Sequence, residues 1–278
     1  MGRKQTSGQE PAGNLRTGLR YALYSVASLS ILIAALFLYS RIDQQLAENP
    51  RFRLAGPAEE GGESAALRIE GATYTSHARI VRVFSADFGR SVYLLPLSER
   101  RRGLLAIDWV KDATLSRMWP DRLEVRVLER KPVAFVQLPV TGGGPTNEIA
   151  LIDEEGVILE QPPRARFTLP AVSGIRREQS LGMRRQRVSI ALRLVGELGG
   201  LATQLSEIDV GDPENVRVVQ SVEGRVVVLL LGNRNFLSRL QNFLSHYPEI
   251  HRRLPNAANF DLRLDDRITA SGEGGRSG

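Results

Sequence analysis

Three histidines, His77, His246 and His251, and no cysteine are what this 278-residue chain offers a metal or a nucleophile. Without thiols there is no disulfide frame, thiolate metal site, iron–sulfur cluster or cysteine nucleophile. His246 and His251 stand five apart, so they do not share a helix face as ligands at spacing four do, and they read as solvated side chains beside Pro248. The phosphate-loop patterns G-x-x-x-x-G-K-[ST] and G-x-G-x-x-G do not occur, and Gly142–Gly144 lies between strands and opens no helix. The nucleophile signatures G-x-S-x-G and S-x-x-K are missing as well. Asp265 and Asp266 pair two carboxylates, but neighbours on a strand point to opposite faces and cannot serve one reacting atom. Trp119, before Pro120, reads as a turn or core aromatic rather than a stacking platform. No catalytic, cofactor-binding or metal-binding set is expected; the chain reads as a binding protein, not an enzyme.

The charge balance narrows what it binds. Half of the net +6 sits in the first twenty residues, where Arg3, Lys4, Arg16 and Arg20 face only Glu10. The remainder is nearly neutral, which argues against nucleic acid as a partner. The basic tail over 1–20 is followed by an uncharged stretch, Tyr21 to Ser40, long enough to cross a bilayer, which takes about 20 apolar residues. Tyr21 and Tyr24 mark one end and Phe37 and Tyr39 the other, as interfacial aromatics do. Ser25, Ser28 and Ser30 can bond carbonyls of their own helix. A cleaved leader has a shorter apolar run and a small-x-small site, so an uncleaved anchor over 21–40 is expected, with lipid around it. The positive tail places the N-terminus in the cytoplasm and everything after Arg41 outside it.

Beyond the span, 41–66 is a juxtamembrane segment ending in a flexible Gly/Glu-rich linker, Ala55 to Ala66, that lets the region beyond it sit at variable height. From Leu67 the pattern is structured. Leu67 and Ile69 alternate into a short strand ended by Gly71. Thr75 or Ser76 caps a helix running toward Phe88, with Ile80, Val83 and Phe84 on one face. A second helix follows through Leu97, Leu104, Leu105 and Ile107, with Glu99, Arg100, Arg101 and Arg102 as a solvated face. Val110 to Met118 and Arg122 to Arg130 are strands around a Trp119-Pro120-Asp121 turn; Leu123, Val125 and Val127 alternate with charges. This β-α-α-β-β order over 67–135 predicts a small sheet with two helices on one face.

A β-rich region, 136–270, comes next. Ala134 to Leu138, Ile149 to Asp153 and Val157 to Leu159 are strands, the last two joined through Glu154-Glu155-Gly156. Arg185 to Leu198 has helical spacing stopped by Gly199-Gly200. Ile208 to Val210, Val216 to Gln220 and Val226 to Leu231 are strands, Arg234 to Tyr247 is a helix, and Phe260 to Ala270 alternates as a last strand. Residues 271–278 read as a floppy end. The fold class is thus α+β behind a single membrane helix. The last strand, near Leu264 to Ala270, has no following element to pair with. It can accept another chain by strand addition; equally, Asp265, Asp266 and Arg267 can be charges that block such pairing.

The run Trp119 to Ala134, WPDRLEVRVLERKPVA, resembles the bacterial cell-division family FtsQ/DivIB. Leu169-Pro170-x-Val172-Ser173-Gly174 and the FDLRLDDRI stretch near the end support the likeness, which extends from about Leu15 to Ser271. The resemblance implies a POTRA domain followed by a β domain. It implies a divisome scaffold at the septum of the cell (inner) membrane that binds FtsB, FtsL and other divisome proteins and helps control septal peptidoglycan synthesis. It also implies that the last strand, Asp261 to Ala270, receives an FtsB strand, with Leu264, Arg267, Ile268 and Thr269 as the contacting positions. The alternative reading is a POTRA-bearing subunit of a secretion or outer-membrane assembly machine, against which the single module and short tail speak. A membrane-anchored hydrolase is a third reading. Arg176, Arg177, Arg184, Arg185 and Arg187 can face an acidic partner, and read first as solvated surface.

Overall fold

The structure is a computed structural model that describes residues 13–57, 64–139, 148–163, 165–264 and 266–271. Residues 1–12 of the expected tail, 58–63 of the expected linker, the Gly142–Gly144 loop, Asp265 and residues 272–278 lie outside the described residues. The chain divides into two compact units: Met1–Arg68 with Val81–Ser98 and Leu115–Val125, and Ile69–Ile80 with Glu99–Thr114 and Arg126–Gly278.

In the first unit, helix α1 runs Gly13–Glu48, 36 residues. At 1.5 Å per residue that is about 54 Å, more than a bilayer core needs. Its apolar stretch Leu23–Ile42 has no buried residue, which separates it from a core helix. The serine expectation holds: Ser28 Oγ donates to Ser25 O and Ser30 Oγ to Val26 O, both at 2.9 Å. Asn49 ends α1 by accepting the Arg51 N–H, and Pro50–Phe52 forms a 3₁₀ turn.

The chain then docks. Leu54 N–H donates to Arg90 O at 2.9 Å, Gly89 N–H donates to Leu54 O at 2.8 Å, and Leu54 is fully buried. Ser64 Oγ donates back to Ala55 O at 2.7 Å. The expected free tether from Ala55 is therefore corrected. The module is held from Leu54 onward, and the ends of the Gly/Glu-rich stretch are tied to each other. The same contacts explain why α2, His77–Val83, stops short of Phe88. Residues 84–90 leave the helix to present Gly89 and Arg90 to the incoming chain.

Strands β1 (Leu67–Glu70), β2 (Val110–Met118) and β3 (Arg122–Glu129) form a three-stranded sheet in the order β1-β3-β2, with α3 (Leu97–Leu105) between β1 and β2 in sequence. The period-two pattern is realised: Leu123, Val125 and Val127 are buried while Arg122 and Arg126 are exposed. Gly71 has φ +82°, and a Cβ there would lie 2.1 Å from Val127 O, so the strand end tolerates only glycine.

Among the described residues, the second unit carries a nine-stranded sheet. Its further strands are β4 (Pro132–Leu138), β5 (Glu148–Asp153), β6 (Ile158–Leu159), β7 (Ala171–Ser173), β8 (Leu205–Asp209), β9 (Val216–Val222), β10 (Arg225–Gly232), β11 (Asn259–Asp261) and β12 (Thr269–Ser271). Their order is β12-β11-β10-β9-β8-β7-β4-β5-β6, with β10/β11, β7/β8 and β4/β7 parallel and the other neighbours antiparallel. Helices α4 (Leu181–Leu198) and α5 (Phe236–Arg253) pack against each other, and with one face of the sheet they enclose the main core. Alternation splits β4 and β5 between two cores. Ala134, Val136, Ala150 and Ile152 join the helices, whereas Phe135 and Leu151 join Trp109, Leu159 and Phe167.

Three expectations change. Helix α4 starts at Leu181, before Arg185, because Ser180 caps it by accepting the Met183 N–H at 3.3 Å. Helix α5 continues through Pro248 to Arg253. The single last strand over Asp261–Ala270 is a pair: β11 and β12 run antiparallel, matching Phe260 with Ala270 and Asp261 with Thr269.

Candidate partner-binding edge

Sequence alternation cannot reveal the turn that breaks the last strand, because side-chain contacts make it. The Asp261 carboxylate accepts the backbone N–H of Arg263 at 3.0 Å and its guanidinium at 2.7 Å. That guanidinium, more than any other group, holds the Asp261 carboxyl below the usual carboxylate range. Arg263 also donates to Asn215 Oδ1 at 2.8 Å. Arg239, buried on α5, donates to Leu231 O and Arg263 O, each at 2.7 Å. The chain is thus folded back at 262–264, and returns as β12.

A nine-stranded sheet has two ends, and they differ. Ile158 and Leu159 of β6 are buried, so that end is covered. At the other end β12 has β11 on one side and no strand on the other among the described residues. Thr269 is exposed, while Ala270 leans on the main core beside Phe260. Between the connection and the outer face of α5 lies a groove of about 380 Å³, lined by Asn242, His246, Glu249, Arg253, Asp266 and Ile268 among others. Its charges are paired locally: Arg253 with Glu249 at 2.6 Å and Arg267 with Asp266 at 3.5 Å.

The four expected positions fall unevenly. Leu264 is 52% exposed on the connection, Arg267 is on the groove rim, Ile268 is half-buried against the core, and Thr269 alone belongs to the edge strand. Sequence reading missed Ala270 and the groove face of α5; the polar side of that amphipathic helix was the available signal. His246 is exposed and His251 stacks on Tyr247, ring centroids 5.8 Å apart. Among the described residues no three His, Asp or Glu side chains cluster to hold a metal. Two arginines of the expected solvated run are tied internally, Arg177 to Glu148 at 2.6 Å and Arg187 to the carbonyls of Gly174 and Gly211.

The Trp119 to Ala134 run has a structural meaning. Glu129 accepts the backbone N–H groups of Thr73, Tyr74 and Thr75 at 2.6–3.0 Å, ordering the chain that enters α2. Thr75 Oγ1 is buried without a hydrogen-bond partner among the described residues, and Ser76 stands at the helix start with its carbonyl accepting the Arg79 and Ile80 N–H groups. Arg130 donates to Asp153 and Glu155, each at 2.7 Å, on the β5–β6 turn. Trp109 Nε1 donates to Glu160 O at 2.8 Å beside Tyr74 and Phe167. One motif therefore ties down both the entry to α2 and the β5–β6 turn.

Residues 64–130 match the family model described as POTRA domain, FtsQ-type, and residues 144–263 match the one described as Cell division protein FtsQ/DivIB, C-terminal. The chain belongs to the FtsQ/DivIB family. It is similar to proteins named Cell division protein FtsQ. One from Koribacter versatilis is 34% identical over 78% of this chain and 60% of its own. One from Novosphingobium aromaticivorans is 30% identical over 76% and 62%, and one from Rickettsia bellii 34% identical over 32% and 30%. The chain thus spans about 60% of the length of the first two of these relatives. The C-terminal FtsQ/DivIB match stops at residue 263, just before Leu264, so the edge is read from topology.

Proposed function

We propose that this FtsQ/DivIB chain is a membrane-anchored divisome scaffold, N-terminus in the cytoplasm, that captures FtsB by strand addition at β12 and holds FtsL with it. In this reading it links early and late division proteins at the septum and so helps control septal peptidoglycan synthesis, doing no chemistry itself. The observation that carries it is the end of the nine-stranded sheet at β12, which among the described residues has β11 on one side and no strand on the other: such a strand offers backbone N–H and C=O groups to an incoming chain. The adjacent groove suits a helical segment leading into that added strand.

The test is capture of purified FtsB–FtsL by the full chain in detergent, against a chain ended after Leu264, which lacks β12. Loss of capture by the shortened, still folded chain is expected. Equal capture by both would sink the reading.

A further inference from the structure

The most exposed large aromatic outside α1 is Trp119, at 58%. Its ring meets Phe52 edge-on, centroids 5.3 Å apart, and Tyr93 at 6.4 Å. Leu94, next to Tyr93, is 44% exposed, and Arg51 and Arg53, both exposed, flank Phe52. These residues belong to one unit together with α1. An exposed apolar and aromatic patch rimmed by arginine fits the bilayer–water boundary, where indole and phenol rings settle and guanidinium groups meet phosphates.

Height decides the occupant. The apolar stretch ends at Ile42 and α1 at Glu48. Six residues rise about 9 Å, less when the helix tilts, and headgroups extend roughly 5–8 Å beyond the hydrocarbon core on each side. Phe52 follows four residues after the helix end, and Trp119 touches Phe52. The turn Val92–Leu94 lies within 8 Å of α1, Cα to Cα. Leu54 anchors this chain to the module, so the patch cannot drift away on a tether.

We infer that Phe52, Tyr93, Leu94 and Trp119 form a lipid-seating wedge that rests the POTRA module on the outer headgroup layer, with Arg51 and Arg53 on lipid phosphates. This rests on α1 crossing the membrane, and not on the strand edge.

The chain has two tryptophans, and Trp109 is 3% exposed, packed with Leu151 and Leu159. The difference in emission between the full chain and Trp119→Phe therefore reports Trp119. Both proteins are reconstituted into phosphatidylcholine–phosphatidylglycerol vesicles, and flotation confirms that α1 inserts. Lipids brominated near the headgroup should quench the difference signal, lipids brominated near the chain ends should quench it less, and the emission should be blue-shifted from that of a solvated indole. Quenching by aqueous iodide with none by bromolipid would overturn the wedge. Protection from both quenchers would also overturn it, showing a protein surface over the patch. Flotation unchanged in Trp119→Phe separates failure of the wedge from failure of the anchor.

Discussion

Arg130 has two carboxylate partners and little water. Its side chain is 15% exposed, Asp153 is 3% and Glu155 is 32% exposed. Asp153 is committed further, accepting the N–H groups of Glu155 at 3.0 Å and Val157 at 2.8 Å. Removing the guanidinium strands a buried carboxylate, a loss of about 3–5 kcal/mol. Arg130→Met should lower the denaturant midpoint accordingly, whereas Arg126→Met, on an exposed pair with Glu70, should change it by less than about 1 kcal/mol. The same cluster sets an acid limit. Hydrogen bonding to Arg130 and then to Lys111 holds the Glu155 carboxyl below its ordinary 4.5. Its folded value lies under its unfolded one, so its contribution is fully present above pH 4.5 and fades as pH falls through the lowered value. Wild type and Glu155→Gln should therefore differ in chemical stability near neutrality and converge in acid. A gap that persists at low pH would mean the carboxylate charge is not what Glu155 contributes.

At the scale of elements, the strand edge can be probed without removing it. A residue in an antiparallel strand directs its N–H and C=O to one neighbour, and the next residue to the other. Of Thr269 and Ala270, one thus faces β11 and the other faces outward. Proline at the outward position deletes a docking donor and leaves the β11–β12 ladder intact. One of Thr269→Pro and Ala270→Pro should lose FtsB capture while remaining folded; Ile268→Pro, outside the ladder, is the milder change. Capture retained by both strand variants, each folded, would refute backbone docking. Elements with a clean local period were legible: β1, β2 and the alternation of β3 came directly from Leu67, Val110 and Leu123-x-Val125-x-Val127. Elements made by distant partners were not. β7 is three residues long and exists because Val172 pairs with both Val136 and Ile208. Gly174 explains the motif around it: at φ +83°, a Cβ would lie 2.2 Å from Gly211 N. The break at 262–264 depends on Arg239 and Asn215, far away in sequence. An alternating stretch such as FDLRLDD carries no sign of either contact.

The whole molecule turns on where the membrane helix hands over to the folded part. Gly/Glu-rich composition suggests a tether whose length sets the height of the module, but the buried side chain of Leu54 and its two backbone hydrogen bonds place the handover before that stretch. Chain inserted beyond the handover should be almost free of consequence. The Ser64–Ala55 hydrogen bond closes the stretch at its base, and doubling a loop costs only about 0.6 kcal/mol in closure entropy. Truncating the anchor is different, since emptying a fully buried leucine site costs about 2–5 kcal/mol. Ten Gly/Ser residues inserted after Glu60 should therefore shift the thermal midpoint of the full chain slightly and leave the lipid quenching of Trp119 intact. Leu54→Ala should lower the midpoint by several degrees and weaken that quenching, because Phe52 and Trp119 would no longer be held at one height. If the insertion proved as damaging as Leu54→Ala, the Gly/Glu-rich stretch would be bearing the load assigned to Leu54, and the module would hang from the membrane rather than sit on it.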